Sequence, residues 1–194
     1  ENLSSRKRKN IRKERASVRD AGVKMLALTG ADIKPHHIDY FYDFYLSTIE
    51  RKWGGAYLTR AFFDIIHTTM ADRILLVMAS FDGNLIGGAL NFIGVDTLYG
   101  RNWGATMHIR NLHFEACYYQ AIDFAISHKL RCVEAGAQGL HKVQRGYLPI
   151  TTYSAHWIQH DEFRAAIAQF LRAETDGLTS EQNQIALLSP FKKS

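Results

Sequence analysis

Between His113 and Tyr147 the sequence gathers His113, Glu115, Glu134, Gln138, His141, Lys142, Arg145 and Tyr147. A carboxylate or an imidazole can take a proton from a reacting group when its surroundings tune its pKa for the task. Lys and Arg suit anionic groups such as phosphate or carboxylate. Residues 131–139 alternate with period two, which predicts a short strand. Val133, Ala135 and Ala137 point one way; Cys132, Glu134, Gly136 and Gln138 point the other. The small residues leave space above such a strand, and placing Glu134 and Gln138 over an interior space costs free energy unless each finds a partner. That pattern fits a site, and it also fits an edge strand with its polar face in water. The cations of residues 141–145 read equally as an anion-binding group or as a solvated turn.

These side chains need elements to hold them. The helix before the strand is well marked: Leu112, Ala116, Tyr119, Ala121, Ile122, Phe124, Ala125 and Ile126 leave little polar face. A helix apolar nearly all round is a buried one. It stops near His128 and Lys129, cations suited to a helix C-terminus. Earlier in the chain, Gly22 ends a helix and residues 23–28 make a strand. Pro35 opens the next helix at its first position, with Ile38, Phe41, Tyr42, Tyr45 and Ile49 on one stripe, and Trp53-Gly54-Gly55 breaks it. Thr59 caps a third helix carrying Phe62, Phe63, Ile66 and Met70. Residues 74–81 are continuously apolar over Leu75, Leu76, Val77 and Met78, as in a strand covered on both faces. Asp82-Gly83 supplies a hairpin turn. The partner strand, 85–93, contains Gly87-Gly88, which predicts a bulge or a close backbone approach. A further strand covers 96–102. Beyond the site, 150–158 reads as a strand with Tyr153, Ala155 and Trp157 on one face. Asp161 caps a helix with Phe163, Ile167, Phe170 and Leu171; Asp176-Gly177 then turns into a last helical segment ended by Pro190.

The net charge of the 194 residues is +5, and residues 1–20, with eight Lys/Arg against three Asp/Glu, hold all of it. A helix over about 5–20 has only a thin apolar stripe of Leu3, Ile11 and Val18, so it belongs on a surface or against an anionic partner. Three readings stay open: a solvated face, a phosphate or tRNA-backbone contact, and a polyanion patch. No run of eighteen apolar residues occurs, and no transmembrane helix is expected. Cys117 and Cys132 read as reduced interior thiols of a cytoplasmic protein. No CxxC or Cys/His spacing supports a metal site; His156, His160 and Asp161 have a helical ligand spacing across a strand end, where it does not serve.

The runs GRNWGA (residues 100–105), HFEACYYQAI (113–122) and EAGAQGLHK (134–142) closely resemble the bacterial peptidoglycan biosynthesis/recognition proteins. The likeness extends from SSRKRKNIRKER near the start to SPFKK at the end. These proteins are similar to the Fem-type aminoacyltransferases and belong with the GNAT acyltransferases. The resemblance implies an α/β (α+β) GNAT-like fold, with a mixed, mostly antiparallel twisted sheet flanked by helices, as one domain over 1–194. Fem-type proteins resemble two such halves in tandem, so the chain could be the C-terminal half of a longer protein. It implies an N-acyltransferase with acyl-CoA or aminoacyl-tRNA as co-substrate, no permanently bound cofactor, and an amine acceptor such as a cell-wall precursor. A catalytically idle module that recognises such a precursor is the alternative. Within this frame Glu134 is the first candidate general base and His141 the second, while Gln138 could polarise the carbonyl. Lys142 and Arg145 would neutralise anionic groups, and His113, Glu115 and Tyr147 would contact substrate; His113 and Glu115 also open the helix, where Glu115 equally suits a structural role at the positive helix end. The GNAT pyrophosphate motif, Arg/Gln-x-x-Gly-x-Gly/Ala in a strand-to-helix turn, falls on residues 101–106, with Arg101, Trp103 and Gly104 as candidate cofactor contacts and Thr106 departing from the pattern. Trp103 is read there as a lid or a packing residue.

Overall fold

The computed structural model describes residues 2–51, 55–136 and 139–192. The chain divides into two compact units, Lys9–Ala137 and Glu1–Arg8 with Gln138–Ser194. The elements are α1 (Ser5–Asp20), β1 (Lys24–Leu28), α2 (Pro35–Glu50), α3 (Arg60–Met70), β2 (Ile74–Phe81), β3 (Asn84–Ile93) and β4 (Thr97–Ala105). There follow α4 (Leu112–Phe114), a π-helical segment (Glu115–Tyr119), α5 (Gln120–Ser127), β5 (Cys132–Glu134), α6 (Leu140–Val143) and α7 (Asp161–Ala186). The sheet runs in the order β1-β2-β3-β4-β5, antiparallel except for the parallel β4–β5 pair. This is the mixed, mostly antiparallel sheet that the family resemblance implies.

Strand β2 explains how the larger unit is layered. Its side chains alternate between two apolar cores. Ile74, Leu76 and Met78 join Ile38, Phe41, Phe44, Tyr45, Phe63 and Ile66 from α2 and α3. Leu75 and Val77 join Ala89, Leu98, Ala116, Ala121 and Phe124 on the other face. A strand between two such layers has no polar face, hence its unbroken apolar run. Pro35 stands at the start of α2 as expected, and Thr59 caps α3, accepting from the Phe62 N–H. Trp53 and Gly54 of the expected break lie outside the described residues.

The hairpin turns on Asp82 and Gly83, both at positive φ, the conformation a two-residue hairpin turn demands. The Gly87-Gly88 pair meets both expectations at once. The β2–β3 register shifts between Ala79 and Ser80, leaving Ile86 as an extra residue. A Cβ on Gly88 would lie 2.8 Å from Met78 Sδ, and one on Gly87 would lie 2.9 Å from Ala105 Cβ. The tightest approach is further along: a Cβ on Gly104 would sit 1.8 Å from the Phe44 carbonyl oxygen. Helix α2 therefore rests directly on the backbone of β4.

Four expectations are corrected. The strand foreseen over 131–139 is only β5, Cys132–Glu134; it is as long as its pairing with β4, and Gln138 lies outside the described residues. The strand foreseen over 150–158 is absent: among the described residues those positions form no backbone–backbone hydrogen bonds, and most are exposed. Alternation alone makes no strand without a neighbouring strand. The turn foreseen at Asp176-Gly177 is helix, because α7 continues unbroken from Asp161 to Ala186. One interior glycine costs about 1 kcal/mol relative to alanine, too little to stop a long helix. His160, not Asp161, caps α7, its Nδ1 accepting from the Phe163 N–H. In the same unit the chain ends meet: Leu3 bridges Phe191, and the Ser4 N–H donates to the Pro190 carbonyl.

Overpacking a tight site costs about 1–3 kcal/mol, and at Gly104 the obstacle is helix backbone that cannot swing aside. Gly104→Ala should therefore lower the unfolding free energy by about 3 kcal/mol in a urea titration. A loss below about 0.5 kcal/mol would mean that α2 does not rest on β4 in this way.

Candidate functional site

Strands β4 and β5 stay together for three residue pairs, Thr97–Cys132, Leu98–Val133 and Tyr99–Glu134. Then β5 ends while β4 continues to Ala105, so among the described residues that edge of β4 has no strand beside it beyond Tyr99. The parting begins at a bulge: Leu90 faces Asn102 and Asn91 faces Gly100, leaving Arg101 as the extra residue. A bulge bends its strand and re-aims the side chains after it. Arg101 is exposed there. Gly100 keeps the two strands close at this last point, since a Cβ on it would lie 3.2 Å from the Glu134 carbonyl oxygen.

Glu134 thus stands where the strands separate. Its side chain is half-buried, and among the described residues none gives its carboxylate a hydrogen bond or an ion pair. Nearby, Asn91 is buried and its Nδ2 donates to the Leu75 carbonyl (3.2 Å). Its Oδ1 lies 3.6 Å from the Cβ position of Gly100. Sequence reading missed Asn91; the one available signal was a polar residue inside an apolar strand.

The placement of the anion-binding turn is corrected. Residues 101–105 are strand, not turn. Gly104 is fixed by α2, and Trp103 packs among the core residues of the sheet, its ring 5.5 Å from that of His113. The connection from strand to helix is 106–111. It is anchored by the Thr106 N–H donating to the Ile86 carbonyl and closed by Asn111 at φ 65°. His108 and Arg110 are exposed on it, and sequence reading did not single them out. A cation lying between a strand and a buried helix was the signal.

Helix α4, the π-helical segment and α5 run on as one rod from Leu112 to Ser127. π turns cluster at functional sites, and this one carries Glu115, which is buried. The Arg15 guanidinium reaches Glu115 through Nη2 (3.0 Å) and Nε (3.2 Å), and Asp123 at 2.6 Å. Gln120 Nε2 donates to Glu115 Oε1, the oxygen that Arg15 Nη2 reaches, at 2.8 Å. Burial opposes the Arg15 charge, but bonds to Asp123 and Glu115 outweigh it and hold the guanidinium more firmly protonated than usual. The Tyr119 hydroxyl donates to Glu14, and Asn111 donates to Ser17. Glu115 is therefore occupied by α1 and Gln120, a structural partner for the basic helix.

The family model for FemAB-like proteins, described as peptidoglycan biosynthesis/recognition, matches residues 1–193. The chain belongs to this family. A search of curated proteins finds no match. Among solved structures, it is similar to an aminoglycoside acetyltransferase from an uncultured soil metagenomic sample, solved with sisomicin. The TM-score is 0.51 at 8% identity, over 73% of this chain and 99% of that one. The same enzyme solved with trehalose gives 0.50 at 8% identity, over 73% and 99%. This likeness gives the fold alone, the mixed sheet and helices of that acetyltransferase.

In this FemAB-like chain the remaining candidates, His141, Lys142, Arg145 and Tyr147, belong to the smaller unit. Arg145 is buried and donates to the His141 carbonyl at 2.8 Å, closing the short helix α6. The Tyr147 N–H donates to the Lys142 carbonyl. Partial burial, then the Arg145 and Lys142 charges, push the His141 pKa below its usual value. His37 in α2 is lowered too, by burial first and then by His36, Lys34 and His67.

Two outcomes follow for this FemAB-like chain. Removing one partner of a buried pair costs about 3–5 kcal/mol; Arg15 is partly exposed, so Arg15→Ala should cost about 2–3 kcal/mol, measured by urea unfolding. Equal stability would show that Glu115 does not depend on it. For the histidines, the unfolded chain binds more protons near pH 6.5, so stability is fullest above that value and falls as pH drops through the lowered folded pKa. His141→Gln should flatten part of the slope between pH 7.5 and 5.5. An unchanged slope would refute the assignment.

Proposed function

We propose that this chain is an N-acyltransferase moving an acyl or aminoacyl group onto an amine, with Glu134 as general base. The observation that carries the reading is a half-buried carboxylate without a partner among the described residues, at the point where β4 and β5 separate. The acceptor nitrogen attacks the carbonyl carbon of the donor, Glu134 takes the proton the nitrogen sheds, and the thiolate or ribose oxygen leaves and is protonated. Those backbone N–H groups of β4 beyond Tyr99 that point into the opening are suited to the oxyanion that develops. Arg101, His108 and Arg110 suit the phosphates of an acyl-CoA donor. The family supports a peptidoglycan precursor as the acceptor. Lys9, Arg12 and Lys13, exposed on α1, support a further phosphate or tRNA-backbone contact.

The test is an acyl-transfer assay with acyl-CoAs and aminoacyl-tRNA as donors and lysine-bearing muropeptide precursors as acceptors. One donor should turn over, and Glu134→Gln should lower kcat about a hundred- to ten-thousand-fold with donor binding retained. Donor binding is read as a melting shift, about 2.7 kcal/mol of stabilisation at a hundred times Kd. Full activity in Glu134→Gln would remove it as the base. A melting shift with a muropeptide, and none with any donor, would make this a recognition module.

A further inference from the structure

The extended segment of residues 150–158 has the composition of a strand and the surroundings of none. Tyr153 and Trp157 are 93% and 80% exposed. Among the described residues, no backbone N–H of 151–157 forms a hydrogen bond with a carbonyl. Two contacts lay the segment along α7. The Gln182 Nε2 donates to Thr151 Oγ1 (3.4 Å), and the Arg164 Nη1 donates to the Ile158 carbonyl (2.9 Å). The seven steps from 151 to 158 reach roughly 24 Å when extended, and the helical rise from 164 to 182 is roughly 27 Å. The segment thus lies antiparallel to its helix, with no backbone N–H of 151–157 bonded to a carbonyl of the described residues.

Helix α7 is itself uncovered, with Phe163 59% and Phe170 64% exposed and Leu171 and Leu178 also exposed. At about 200 Å² for each aromatic side chain, the four exposed rings alone leave on the order of 600 Å² of apolar surface. That exceeds the few hundred Å² an ordinary monomer leaves uncovered. With the leucines it approaches the roughly 800 Å² per partner of a standard stable interface.

The pattern of residues points to the occupant. Paired antiparallel with itself about Ala155, the segment sets Tyr153 opposite Trp157 of the second copy, and Trp157 opposite its Tyr153. Ser154 then faces His156, and Ala155 faces Ala155. Aromatic cross-strand pairs are stabilising. The run Thr151–Gln159 contains no Lys, Arg, Asp or Glu, so self-pairing brings no fixed like charges together. The symmetry is that of an isologous dimer, in which one patch serves both subunits.

We propose that a second copy of this chain docks here, through two-fold antiparallel pairing of residues 151–159 and burial of the exposed α7 stripe. The experiment is sedimentation of the full chain across a concentration series. The wild type should run at twice its 22.1 kDa mass. Ala155 is exposed, so changing it leaves the fold in place, a point checked by an unchanged far-ultraviolet circular dichroism spectrum. Ala155→Lys or Ala155→Glu alone sets like charges across the axis and should give monomers. Mixing the two variants sets opposite charges there and should restore the dimer. A wild type that stays monomeric at 100 µM (about a tenfold excess over a 10 µM Kd, near −6.8 kcal/mol) would overturn the proposal. So would single variants that dimerise as the wild type does, or a mixture that stays monomeric.

Discussion

A carboxylate taken out of water must be answered by charge and hydrogen bonds from the protein, and Glu115 sets that requirement for the larger unit. It sits on the central helix, buried, in a turn wound one residue wider than an α-helix. Arg15 and Gln120 meet it. A basic helix with almost no apolar stripe is thereby docked by ionic contacts, with Val18 alone fully buried along it. An unanswered buried charge is far more costly than an unmade surface pair. The position of α1 thus follows from the burial of one side chain about a hundred residues away.

The site depends on a second constraint, the closeness of backbones along β4. Gly104 lets α2 rest on one end, and Gly100 lets β5 approach at the other. Between them the bulge at Arg101 bends the strand away. Two small residues and one extra residue turn a continuous sheet into a sheet with an opening, and they place Glu134 at its apex. The acyl-transfer reading draws its chemistry from that geometry rather than from any single motif.

Much of the scaffold was legible because its signals are local. The continuous apolar run of β2, the Asp82-Gly83 turn, Pro35 and Thr59 each state their own conformation. What depends on distant partners was not legible. Nothing near Arg15 announces Glu115, and α1 read alone leaves a solvated face and an external anion both open. β5 is short because pairing with β4 ends, a fact stored in β4. The 150–158 alternation carries the intrinsic preference of a strand and no information about a neighbour. At the site, Glu134 could be found by its place on an alternating strand, whereas Asn91, His108 and Arg110 gained meaning only once the strands and the connection were in place. Residues 101–105 follow the order of a motif, yet they are strand, held against α2 at Gly104.

The two sides of α1 respond differently to ionic strength. Mobile ions screen charges in water beyond about 8 Å at physiological salt, and act much less on partly buried pairs. The Arg15–Glu115 contact lies on the sheltered side, while Lys9, Arg12 and Lys13 lie outside it. Raising salt therefore weakens whatever polyanion the outer cations attract long before it loosens the helix from its own domain. The helix is a fixed mount with a salt-sensitive outer face.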